Sequence, residues 1–84
     1  MKHAVKVLGF YKRERDGNEY VLYEENGKKY LTNGAYIWRD RVEARYLPQC
    51  RKVEKVDLKK IIGRLEKAYP YSPVLSALKL FLDA

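Results

Sequence analysis

The chain has 84 residues, in which 18 lysines and arginines outnumber 11 aspartates and glutamates to give a formal net charge of +7. A single cysteine excludes an internal disulfide, and one cysteine with one histidine cannot build a structural zinc site, which takes four protein ligands. No apolar run approaches the roughly 18 residues of a membrane-spanning helix, and Lys6 interrupts the apolar stretch near the N-terminus, so no membrane partner and a cytoplasmic location are expected.

From Ala4 to about Asn33 the chain reads as a β-meander. Two turn signals, Asp16-Gly17-Asn18 and Asn26-Gly27, are each flanked by β-forming residues. A two-residue turn at Asn26-Gly27 pairs Glu25 with Lys28, Glu24 with Lys29, Tyr23 with Tyr30 and Leu22 with Leu31. Opposite charges beside the turn, then aromatic and aliphatic pairs, all favour that one register. The first turn leaves two registers open. A two-residue turn at Asp16-Gly17 pairs Phe10 with Tyr23, whereas a three-residue turn pairs Tyr11 with Tyr23 and exchanges the two faces of the first strand.

Gly34 to Leu47 fits either a strand or a helix. Alternation places Tyr36, Trp38, Val42, Ala44 and Tyr46 on one side and Arg39, Arg41, Glu43 and Arg45 on the other, while Trp38, Val42 and Tyr46 also recur at helical spacing. The aromatic start favours a strand, with a bend near Asp40, and Pro48 ends the element.

The last third is helical. Asp57 is a good N-cap, with Val56 and Ile61 placed as a hydrophobic staple. Leu58, Ile61, Ile62, Leu65 and Tyr69 trace an apolar stripe that Pro70 stops. Ser72 and Pro73 open a second helix whose stripe is Val74, Leu75, Leu78, Phe81 and Leu82. Ala77 and Leu80 widen that stripe nearly all round the helix, which points to a homodimer formed through Ala77, Leu80 and Phe81. The expected fold is therefore α+β. An antiparallel meander of three to five strands (about residues 4–56) precedes a pair of helices (about 57–84) packed on one face, all within a single domain over residues 1–84.

Catalytic groupings are missing. His3 lies near the terminus, neither serine stands beside a base, the acids neighbour opposite charges, and the glycines are scattered rather than gathered into a phosphate loop. No metal site and no cofactor are expected, and Cys50 reads as a packing residue with Arg51 and Lys52 beside it. Ser, Thr and Gln are scarce while charged residues are plentiful, a bias shared with hyperthermophile proteins.

A binding role fits better. With two-residue turns in both hairpins, Phe10, Tyr23 and Tyr30 form a row across three strands, bordered by Lys12 and Lys28 on the same face. Rings in a row could stack unpaired bases while the lysines hold phosphates. Val5, Val7, Tyr11, Leu22 and Leu31 would then make the opposite face, as the bed for the helices. Arg39, Arg41 and Arg45 form a second candidate phosphate contact. The leading expectation is a non-enzymatic nucleic-acid-binding or accessory protein for RNA or DNA. The alternative is a protein-interaction module, such as a viral or mobile-element inhibitor or regulator with an acidic partner. A minor alternative is a metal-independent ribonuclease toxin. Such mRNA interferases work without a histidine pair and are similar in size and charge, but they usually place helices before most of the sheet.

Overall fold

The computed structural model describes residues 5–39 and 49–83. Five strands precede two helices: β1 (Val5–Arg13), β2 (Glu19–Glu25), β3 (Lys28–Thr32), β4 (Ile37–Arg39), β5 (Cys50–Val53), α1 (Leu58–Ala68) and α2 (Pro73–Asp83). The strands form one antiparallel sheet in the order β4-β3-β2-β1-β5, and both helices pack on one face of it. This is the α+β arrangement read from the sequence, with one addition. The first four strands meander, and β5 returns across the chain to lie beside β1, pairing Phe10 with Val53 and Arg13 with Cys50.

The second hairpin follows local chemistry. Asn26 and Gly27 both take positive φ, 53° and 80°, as a turn matching the strand twist requires. Pairing runs from Glu25 with Lys28 to Leu22 with Leu31, in the register that the charges and rings dictate. The first hairpin takes neither anticipated register. Tyr11 pairs with Tyr20 and Lys12 with Glu19, so the connection is longer and closes where the Arg13 N–H donates to the Asn18 carbonyl at 2.9 Å. Asp16 organises that loop: it accepts from the Arg13 guanidinium and from both the backbone and side-chain nitrogens of Asn18. The shift is two residues, so Phe10 still shares a face with Tyr23 and Tyr30.

A β-bulge between Val7 and Gly9 changes the rest of β1. One extra residue there moves Val5 and Val7 onto the face that carries Phe10. The helices therefore sit on Val5, Val7, Phe10, Val21, Tyr23, Tyr30 and Ile37, around a core of Ile61, Ile62, Leu65, Val74, Leu75 and Leu78. Of the expected helix bed of Val5, Val7, Tyr11, Leu22 and Leu31, the two valines hold their place and the other three do not. Leu22 and Leu31 instead join Tyr20, Leu8, Tyr11, Trp38 and Cys50 in a second cluster on the other face.

The helix ends match their sequence signals. Asp57 accepts from the Lys60 N–H at 3.2 Å and its own N–H donates to Glu19, tying the start of α1 to β2. The β3–β4 loop is pressed under α1. Thr32 is buried and donates to the Tyr36 carbonyl while accepting from the Gly34 N–H, and Arg64 reaches down to the Asn33 carbonyl at 3.3 Å. Of the Gly34–Leu47 stretch, residues 37–39 form β4, whereas 40–47 lie outside the described residues.

Candidate functional site

The three rings proposed as a stacking platform are brought together, but beneath the helices. Tyr23 retains 2 % of its exposure and stacks on Tyr30 with ring centres 5.3 Å apart and an 18° angle between planes. Phe10 meets Phe81 of α2 edge to face at 5.9 Å. Burial pushes the Tyr23 hydroxyl well above the ordinary tyrosine range, as expected for a phenol removed from water. The row is therefore packed under the helices, with Tyr23 buried and Phe10 and Tyr30 half-buried, which corrects its reading as an open face. The physical reason is the bulge: by adding Val5 and Val7 to the Phe10 side, it makes that side the broader apolar bed.

Nor is the other face of the central strands available. Tyr20 and Leu31 are 1 % and 0 % exposed, so β2 buries four successive residues, Tyr20 to Tyr23, pointing to both faces in turn. Arg13 lies over the Tyr20 ring at 5.6 Å, and Tyr36, at the exposed end of this face, stacks against Trp38 at 5.8 Å.

The predicted cations do not flank an open ring. Lys12 stands between Glu19 and Arg51 in the ladder, and Lys28 is exposed opposite Glu25 beside the turn. Arg39 belongs to β4 and pairs through its backbone with Tyr30, while Arg41 and Arg45 lie outside the described residues, as does His3. The Cys50 thiol is pushed up by burial, a stronger influence than the pull of nearby Arg13. Among the described residues no cluster of three metal-binding side chains occurs. No helix among them is long and apolar enough to cross a membrane.

Ala77, Leu80 and Phe81 do converge. With Val5 and Val7 they line an open groove of roughly 280 Å³ between α2 and β1. Leu80 is 72 % exposed and Phe81 48 %. Phe81 also borders a second groove of roughly 480 Å³ formed with Phe10, Leu82, Val56 and Leu58.

A further cationic surface, not among the residues expected from sequence, is the outer side of α1. Lys59, Lys60 and Lys67 are exposed there, opposite the apolar stripe, and the signal was present in the 3.6-residue periodicity itself. Comparison with family models, curated proteins and solved structures gives no match.

Proposed function

We propose that this chain is a small non-enzymatic nucleic-acid-binding protein that holds phosphates with lysines rather than bases with rings. The observation that supports it is the disposition of its cations. Lys6, Lys28, Lys52, Lys55, Lys59, Lys60 and Lys67 are exposed, and none has an ion-pair partner among the described residues. On a chain of net charge +7 they supply the sequence-independent electrostatic term that dominates backbone binding. Such a role belongs in the cytoplasm, where Cys50 stays reduced.

Fluorescence anisotropy with a labelled oligonucleotide tests this. Binding in low salt that weakens steeply as salt is added is the expected result, and no binding at about 20 mM salt, where screening is slight, removes the reading. Tyr23→Ala would then act by unfolding the core, not by losing a base contact.

A second reading is favoured by the exposure of Leu80 and Phe81: a docking groove for a protein, or for a second copy of this chain. Light scattering during size-exclusion chromatography decides the self-association version, for which a 10.0 kDa species at every concentration is the refuting result.

A further inference from the structure

Within α1 one residue breaks the local rule. Gly63 lies in the helix interior with an ordinary helical backbone, and a Cβ placed on it would meet nothing within 4 Å. Neither a turn, a positive φ nor a close tertiary contact requires glycine there, although glycine is disfavoured in helices relative to alanine. Its surroundings are equally one-sided. Counting 100° per residue, Gly63 and Lys67 fall opposite Leu65 and Leu58, with Lys59 on one flank and Lys60 and Arg64 on the other. The one carboxylate within the helix, Glu66, is engaged by Lys79 at 3.4 Å, and Asp57 at its start caps the Lys60 N–H. Arg64 is steadied by the Asn33 carbonyl.

We infer that the solvent face of α1 is a docking surface for the phosphate backbone of double-stranded DNA, with Gly63 as the bare point of closest approach and the exposed Lys59, Lys60 and Lys67 reaching phosphates around it. This rests on the nucleic-acid reading above and gives it a location. Duplex DNA is the occupant because α1 contains no aromatic residue to stack an unpaired base, which separates it from single-strand sites. A helix about 10–12 Å across matches the roughly 12 Å major groove of B-DNA, whereas the A-form major groove of RNA is too narrow. The proposed contacts are to phosphates, which carry no sequence information directly.

The test is anisotropy with a fluorescent 16-base-pair DNA duplex of mixed sequence, alongside the same sequence as duplex RNA and as single-stranded DNA. Three phosphate contacts give a slope of about −2.7 for log K against log salt. Lys60→Gln with Lys67→Gln makes that slope shallower by about two, whereas Arg15→Gln with Arg51→Gln, an equal charge loss in the first hairpin loop and β5, where Arg51 pairs with Glu14, leaves it nearly unchanged. Gly63→Gln adds a neutral side chain that helices accept. It weakens binding about tenfold or more with no fall in melting temperature, a combination that a purely structural glycine would not produce. If the wild type binds duplex DNA but Gly63→Gln and the α1 lysine variants bind as tightly, the docking surface lies elsewhere and this inference fails while the nucleic-acid reading stands. Preference for RNA or for the single strand overturns the choice of occupant. Failure of all three probes to bind in low salt overturns both the inference and the reading beneath it.

Discussion

Gly34→Ala isolates the contact that seats the helices on the sheet. Gly34 has φ +95°, and a methyl group there would stand 2.7 Å from the Ile61 carbonyl oxygen, 2.8 Å from Arg64 Cβ and 3.1 Å from Ile61 Cα. Two of these are backbone atoms and the third is fixed to the backbone, so none can rotate aside, and α1 must lift. Left-handed backbone costs about 1–2 kcal/mol for a residue with a Cβ, and overpacking adds about 1–3 kcal/mol. The sum, about 2–5 kcal/mol, is a large share of the roughly 4–13 kcal/mol expected for a chain this long. At about 4–8 °C per kcal/mol, the melting temperature falls by about 8 °C or more. Gly17→Ala is the matched control, with φ +72° and nothing within 4 Å, so it carries the conformational cost alone. Thermal unfolding followed by circular dichroism compares the two, with urea midpoints as a second measure. Equal losses in the two variants would refute the claim that α1 rests directly on the β3–β4 loop.

Three further outcomes are expected. Asp57→Ala removes the acceptor for the Lys60 N–H and lowers stability by about 1 kcal/mol, read as a reduced urea midpoint at constant m. Gly63→Ala raises stability by about 1 kcal/mol, since the added methyl meets open space; a lower melting temperature would show an unrecognised contact. Asp16 is held at about 2, chiefly by the Arg13 side-chain hydrogen bond and then by the Asn18 N–H. Its folded pKa lies below the ordinary 3.8, so its contribution to stability is complete above that value and is lost as pH falls toward about 2. A carboxyl NMR titration should give a midpoint near 2 that returns toward 3.8 in Arg13→Gln, and an unmoved midpoint in that variant would contradict the assignment.

What could be read from the chain divides along the range of the interactions involved. The Asn26-Gly27 hairpin and both helices are specified within a few residues by turn geometry, facing charges, caps and stripes, and they form as those signals say. The face of β1 depends on a bulge whose only local mark is Gly9, a glycine inside a strand. Treating β1 as regular placed Val5 and Val7 under the helices but Phe10 on the opposite face, and so left the tyrosine row open to solvent. The run Tyr20-Val21-Leu22-Tyr23 held the opposing clue, since four apolar residues in succession describe a strand covered on both faces. β5 offered still less, because Arg51 and Lys52 give Cys50–Val53 no alternation and its place is fixed by pairing with a distant strand.

That distant partner sets an order of assembly. Phe10 and Val53 are neighbours in the sheet yet 43 positions apart along the polypeptide. The Asn26-Gly27 hairpin closes a two-residue loop and can form within about 1–10 μs, whereas bringing β5 to β1 must first restrict the whole intervening segment. During synthesis the outer edge of β1 therefore waits until Val53 has emerged. Through that interval the exposed ammonium of Lys6 and the twist of the neighbouring bulge guard the unfinished edge against pairing with the wrong chain.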